Sequence, residues 1–300
     1  MPAVHVTETA RAKINLALHV TGRRDDGYHL LDSIVTFCEV GDRLEIAPAQ
    51  ADVFTVSGRF GGDLGDPSGN LVLKARDGFR AWLLAAGLQA CPVSIHLEKN
   101  LPVASGIGGG SADAAAALRG LMRIWAAGPE PQDRKGLALS LGADVPMCLA
   151  STPLAARGIG EDITLLPQMP AMALVLGNPL RGVSTPQIFK ALERRENLPV
   201  GPLPQTAMLT DWIECLAGLR NDLEPAASAL VPEIGEIRRM LRDEGALLAR
   251  MSGSGATCFG IFENTAQAAD AAANLARKHP DWYFCATTTT SNAQAAGETG

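Results

Sequence analysis

Leu101-Pro102-Val103-Ala104-Ser105-Gly106-Ile107-Gly108-Gly109-Gly110-Ser111-Ala112-Asp113 leads from the end of an apolar segment into an alanine-rich one. Four glycines fall within five consecutive positions, Gly106 to Gly110. Glycine has no Cβ and tolerates positive φ, so successive backbone N–H groups can face one concavity and approach an anion closely. A helix beginning just beyond adds its unpaired first-turn N–H groups and the positive end of its dipole. The stretch therefore reads as a cradle for phosphate. Ser111 is open to two roles, as helix N-cap or as a hydroxyl near Mg²⁺. Asp113 is placed in the first turn, where a carboxylate would either cap the helix or compete with the phosphate.

Two familiar nucleotide loops do not fit. A P-loop ends Gly-Lys-Ser/Thr, whereas Gly110 is followed directly by Ser111. The dinucleotide-binding fingerprint requires a third glycine where Ser111 stands, inside a βαβ unit that the preceding residues do not supply.

Outward from this loop the pattern is mixed α+β. Val4 and Val6, then Ile14, Leu16, Leu18 and Val20, alternate like strands with one face inward. A turn is expected at Arg23-Arg24-Asp25-Asp26-Gly27, with strands over 33–38, 43–46 and 93–97. Helical spacing covers 70–88, 111–127 and 132–141. After Pro153 the pattern restarts, with strands near 162–166, 171–176 and 283, two more flanking Gly253-Ser254-Gly255, and helices over 186–195, 207–219, 233–244 and 266–278. Such segregation suggests an α+β second half. The expected division is one domain over 1–153, a second over 154–290, and a frayed polar tail over 291–300. The stretch 197–204 is expected to be an exposed connection.

Bulk composition narrows the class. The 300 residues carry a formal net charge of −6 and 47% apolar residues. A net negative chain offers no broad basic face for nucleic acid. No apolar run approaches the roughly 20 residues of a membrane-spanning helix, and the start MPAVHVTETARAK has no secretory apolar core. A cytoplasmic protein without membrane or nucleic-acid partners is expected. Cys38, Cys91, Cys148, Cys215, Cys258 and Cys285 are scattered singly, so all six are expected to be reduced core residues.

Three segments in order resemble the GHMP kinase superfamily: Ala12-Lys13-Ile14-Asn15-Leu16; the glycine loop, which is similar to Pro-x-x-x-Gly-Leu-Gly-Gly-Gly-Ser with Ile107 in the Leu position; and Met251-Ser252-Gly253-Ser254-Gly255-Ala256. Gly27-Tyr28-His29-x-Leu31 and Leu141-Gly142-Ala143-Asp144-Val145-Pro146 are similar to signatures of its diphosphocytidyl-methylerythritol kinase branch. The resemblance covers about residues 10–262.

It implies a two-domain GHMP kinase fold, with a ribosomal-protein-S5-domain-2-like N-terminal domain, a ferredoxin-like C-terminal domain and the active site in the cleft between them. The implied reaction moves the γ-phosphoryl of ATP, with Mg²⁺, to the 2-hydroxyl of 4-diphosphocytidyl-2-C-methyl-D-erythritol, in the non-mevalonate route to isopentenyl diphosphate. ATP would lie on Pro102 to Ala112. Asp144 would be the catalytic base, with Lys13 near the hydroxyl and the γ-phosphate. Asn15, Tyr28, His29, Thr185, Phe189, Gly253, Ser254 and Gly255 would contact the substrate, the aromatic rings at its cytosine. Asn221-Asp222-Leu223-Glu224 reads as structural.

An Asp with a reference pKa near ~3.9 is a weak base for an alcohol and takes the proton late. That suffices in the loose transition state of phosphoryl transfer, where orientation and charge do most of the work. Taken from the residues alone, Lys13 snorkelling from a strand, Asp144 capping a turn, Phe189 in a core and His29 as a satisfied structural histidine stay open. So do two other functions: a GHMP kinase for another small alcohol, and a non-catalytic nucleotide sensor. Oligomeric state is not legible.

Overall fold

A computed structural model describes residues 5–65, 69–103 and 105–291. Ala104 of the glycine loop and the tail 292–300 lie outside the described residues. The chain forms two compact units that exchange the backbone several times. The first holds the stretches up to Ala12, Gly41–Val103 and Gly108–Ala150, and the second holds Lys13–Val40, Ala104–Ile107 and the residues from Ser151 onward.

The long strands β1 (Val6–Arg23) and β2 (His29–Pro48) contribute to both units. In the first unit, Arg43–Pro48 of β2 pairs antiparallel with β4 (Val93–Glu98), which pairs in parallel with β3 (Val53–Ser57). Parallel neighbours need a crossover, and helix α1 (Leu71–Ala85) supplies it. Asn70 caps α1, its side chain accepting from Val72 N at 2.8 Å. Helix α2 (Gly109–Ile124) packs against α1, followed by α3 (Pro131–Leu141) and α4 (Val145–Ala150). Every residue from Ala112 to Leu118 is buried. Alanine at five of those positions lets α2 be covered on all sides without large side chains to place. Phe79 of α1 fills the space beside it, its ring 5.3 Å from that of Trp125.

The second unit begins with Leu31–Val35 of β2 pairing antiparallel with β5 (Leu154–Gly158), which pairs with β6 (Asp162–Leu165). It continues through β7 (Ala173–Asn178), α5 (Thr185–Lys190), α6 (Leu209–Ala217), α7 (Glu224–Leu230), α8 (Glu233–Asp243), β8 (Leu248–Met251), β9 (Cys258–Phe262), α9 (Thr265–Lys278) and β10 (Tyr283–Thr288). The last four strands form an antiparallel sheet in the order β10-β7-β9-β8, with α8 packed on β8 and β9 and α9 on β7 and β10. Numbered among themselves these strands read 4-1-3-2 with a helix in each crossover, the ferredoxin-like split βαβ arrangement. Its core joins Ile234, Ile237 and Leu241 of α8 to Val175, Phe262 and Leu275. Among the described residues no helix is long and apolar enough to cross a membrane.

Several expectations change. The segment Ala12–Val20 is buried at every position, so β1 does not alternate between core and solvent there. The strands expected over 33–38 and 43–46 are one strand, and the helix expected over 186–195 stops at Lys190. Strands β3 and β5 and helices α4 and α7 were not among the expected elements; β3 buries none of its residues and so has no core-facing alternation to show. Of the cysteines, Cys38, Cys148 and Cys258 are buried, Cys215 and Cys285 are half-buried and Cys91 is exposed; all are free thiols. The stretch 197–204 is not merely exposed: Val200 is buried and its N–H donates to Asp32 Oδ2 at 3.1 Å.

Replacing the fully buried Phe79 by alanine removes a ring at the α1–α2 contact. Urea unfolding should show a loss of about 3–5 kcal/mol.

Candidate active site

In the second unit the three motifs meet. Lys13 N donates to Ile107 O at 2.9 Å and Thr257 N to Ser105 O at 3.1 Å. Asn15 N donates to Ser252 Oγ at 3.0 Å, and that hydroxyl donates to Gly106 O at 3.1 Å. Gly106 (φ 75°), Gly253 (φ 55°) and Gly255 (φ 88°) all lie in the left-handed region. A Cβ on Gly106 would come within 2.6 Å of Ser252 O, and one on Gly253 within 2.5 Å of Gly106 O. Two glycine turns, 146 positions apart in sequence by the Ser252–Gly106 bond, thus press backbone on backbone.

The second turn is held from behind. Asn221 Nδ2 donates to Met251 O and to Gly253 O, both at 2.8 Å, and Glu224 Oε2 accepts from Met251 N at 2.9 Å. The structural reading of 221–224 is thereby given its physical content. Arg250 is buried and donates to Leu16 O, Leu216 O and Leu219 O. Burial lowers its pKa to about 10, which leaves it charged at neutral pH.

The same unit holds the other residues expected at the substrate, and two of them, Asn15 and His29, have a buried polar atom without a partner. Asn15 is buried, its Nδ2 donates to Ser33 Oγ at 2.7 Å, and its Oδ1 has no hydrogen-bond partner. Buried carbonyl oxygens of this kind are costly unless something binds them. Thr185 Oγ1 and Ser254 Oγ lie 2.8 Å apart. His29 stacks on Phe189 with ring centroids 4.7 Å apart, and its buried Nε2 has no partner. Burial, then the charges of Arg23 and Arg195, hold the His29 pKa below the ordinary imidazole value. Phe189 also packs against the core, so it serves packing and stacking together. Tyr28, the residue before His29, is 58% exposed.

The first unit carries the rest of the loop. Pro102 is buried and Val103 exposed. Gly108, at φ 67°, occupies the N-cap position of α2, with Gly109, Gly110, Ser111 and Ala112 in its first turn. Ser111 therefore does not cap the helix, and Asp113 lies one position beyond the first turn. The Ser111 hydroxyl faces the turn that carries Asp144, 4.0 Å from where a Cβ on Gly142 would sit. Asp144 is half-buried immediately before α4, with its carbonyl accepting from Cys148 N at 3.1 Å. Asp113 instead pairs with Lys99 Nζ at 2.7 Å, and Lys99 also pairs with Asp42. Burial raises the Asp113 pKa against the pull of Lys99, and the charge of Asp42 pushes the same way. Ser33, Asp42, Lys99, Ser252 and Arg250 were not singled out from sequence. Only Ser252 carried a signal, its place inside the third motif.

Residues 70–152 match the GHMP kinases N terminal domain family and residues 207–281 the GHMP kinases C terminal family. A protein of Rhizobium etli described as 4-diphosphocytidyl-2-C-methyl-D-erythritol kinase is 63% identical over 290 residues, covering 96% of both chains. The chain is a GHMP kinase of the 4-diphosphocytidyl-2-C-methyl-D-erythritol kinase family. A relative of the same description from Agrobacterium fabrum is 58% identical over 96% of this chain and 97% of its own. The solved crystal structure of a 4-(cytidine 5'-diphospho)-2C-methyl-D-erythritol kinase superposes with a TM-score of 0.77 at 35% identity, covering 96% of this chain and all of that one. Homoserine kinase from Cytophaga hutchinsonii shares the fold at 19% identity, with a TM-score of 0.66 over 96% of this chain and 95% of its own. The enzyme is thus a member of a family of ATP-dependent phosphotransferases, built from the family's N- and C-terminal domains.

Gly253→Ala forces a side chain into a left-handed position already occupied by Gly106 O. Stability should fall by about 1–3 kcal/mol or more in urea denaturation, and kcat/KM should fall with it at temperatures where the variant is still folded.

Proposed function

We infer that this kinase transfers the γ-phosphoryl of ATP to the 2-hydroxyl of 4-diphosphocytidyl-2-C-methyl-D-erythritol, giving its 2-phosphate and ADP. The observation that carries this reading is the meeting of Lys13-Asn15, Gly106-Ile107 and Ser252–Gly255 in one hydrogen-bonded frame, together with relatives 58–63% identical that bear this substrate's name. On this reading the triphosphate lies on the glycine loop, Pro102 to Ala112. Backbone N–H groups and the α2 dipole stabilise the charge spread over the transferring group.

Asp144 accepts the proton of the 2-hydroxyl late and chiefly orients it, while Lys13 supplies positive charge to the γ-phosphate. Asn15 Oδ1, left without a partner, accepts a hydrogen bond from the substrate's polyol. The cytosine lies against the His29 and Phe189 rings with Tyr28 beside them, and His29 Nε2 meets its polar edge. Thr185, Gly253, Ser254 and Gly255 line the substrate side of the second turn. Mg²⁺, when bound, neutralises phosphate charge. It keeps several waters and needs few protein ligands, and the Ser111 hydroxyl is the contact this reading gives it. We read the two family domains as 1–153 and 154–290, a division supported by matches that end at 152 and begin at 207. We read the reaction as cytoplasmic, which the use of ATP as donor supports.

Turnover with ATP and the cytidylyl substrate, followed by phosphorus NMR, should show one new phosphomonoester. A panel of other small alcohols should give none, and turnover of those alone would overturn the reading. Asp144→Asn should lower kcat about 10²–10⁴-fold while calorimetry shows ATP still bound; unchanged kcat would remove Asp144 from the mechanism.

A pH dependence follows for His29. Its pKa lies below 6.5 because burial and two guanidinium groups oppose protonation, so the neutral ring persists through neutral pH. KM for the cytidylyl substrate should be flat from the alkaline side down to about pH 6.5 and rise only below it. The ring's contribution to folding stability runs the same way: it is present above the unfolded imidazole pKa and lost as pH falls through the folded one.

A further inference from the structure

The first unit holds a charge cluster that the reaction does not use. Lys99 is 2% exposed, Asp42 0% and Asp113 3%. Its ammonium donates to Asp42 Oδ2 and to Asp113 Oδ2. Asp42 Oδ1 accepts from Asn100 N at 2.6 Å and Leu101 N at 2.8 Å. Asp113 Oδ1 is buried without a partner. Charges this deep are costly even when paired, so packing alone does not account for three of them in a space that apolar side chains would fill.

Their positions are specific. Asn100 and Leu101 are the residues by which the chain leaves β4 for the glycine loop, and Asp113 belongs to the helix into which the loop runs. Lys99 Nζ lies directly beneath the loop's last turn, 3.2 Å from where a Cβ on Gly109 would stand. An ammonium at the positive end of a helix dipole is unfavourable by itself, and two carboxylates offset this. Lys99 itself is anchored, its N donating to Ser57 O at 2.8 Å and its O accepting from Phe60 N at 2.9 Å.

We propose that Lys99, bridging Asp42 and Asp113, is a positioning residue that fixes the separation of the two ends of the glycine loop and so the loop's affinity for nucleotide. Asp42 holds the start of the loop through two backbone N–H groups. Asp113 holds the first turns of α2, and Lys99 ties the two together. The proposal rests on the glycine loop being the ATP site. Gly109 is glycine on this account because a side chain there would displace the ammonium.

The test compares Asp113→Leu, which cuts the tether to α2 and leaves Lys99 paired with Asp42, with Asp113→Asn, which keeps an acceptor for the ammonium. Calorimetric titration with ATP should show binding weakened about 10-fold or more in Asp113→Leu, since displacements near 1 Å are costly at such sites. Asp113→Asn should recover most of the loss. KM for ATP should rise while KM for the alcohol stays put, a split that general destabilisation does not produce. Should Asp113→Leu not fold, the neutral combination Asp42→Asn, Lys99→Met, Asp113→Asn takes its place, because a buried charge set replaced as a whole is often tolerated; the same split is expected. Wild-type ATP affinity in a folded Asp113→Leu or in that combination overturns the proposal. Gly108→Ala is the control for the site itself: if it too binds ATP normally, the loop is not the nucleotide site and the underlying reading fails with the proposal.

Discussion

The contact on which the second unit depends is backbone against backbone. Gly106 and Gly253 approach so closely that neither could carry a Cβ, with 2.5–2.6 Å to the facing carbonyl oxygens. A contact of this kind has no side-chain contribution and little freedom to adjust. It must be supported from its periphery, and Ser252 Oγ, Asn221 Nδ2 and Glu224 do so by taking up the peptide groups that the turns leave over. Asn15 then hangs from Ser252 and Ser33, with one buried amide oxygen left without a hydrogen-bond partner. Rigidity of this kind is what positioning chemistry requires, because a phosphoryl transfer gains its rate from alignment and fixed dipoles rather than from a strong base.

Electrostatics follows the same economy. A chain with net charge −6 that handles highly anionic substrates needs its positive potential in particular places. Backbone N–H groups at the start of α2 provide part of it without any titratable group. Arg250 is a buried cation whose N–H groups are spent on three backbone carbonyls, which makes it a strut between Leu16 and the 216–219 segment. Lys99 is likewise committed to two carboxylates. Charge near the substrate must come from groups not locked into such frames.

Much of this was readable beforehand. The glycine loop, the Lys13–Asn15 segment and the Met251–Ala256 turn each announce themselves because their constraints are local: a positive φ or the absence of a Cβ leaves a residue-type signature. Long amphipathic helices such as α1, α8 and α9 showed their period. Strands β3 and β5 and helices α4 and α7 were not foreseen, and β1 misled because a strand buried on both faces has no reason to alternate. Of the two roles left open for Ser111, the N-cap rested on the general preference for serine before a helix. The helix begins two residues earlier because Gly108 turns left-handed without side-chain help.

What the amino-acid order alone determined is the set of backbone conformations that only glycine permits and the helical and strand periods; the kinase family came from the resemblance of its motifs to those of known members. What it could not determine is which distant groups share a hydrogen bond. Ser33 with Asn15, Asn221 with the Gly253 turn, and Lys99 with both Asp42 and Asp113 pair across separations of 14 to 57 positions. Nothing in local spacing encodes such pairs, because a buried polar group takes whichever partner the packing delivers. Only the tertiary structure makes that choice.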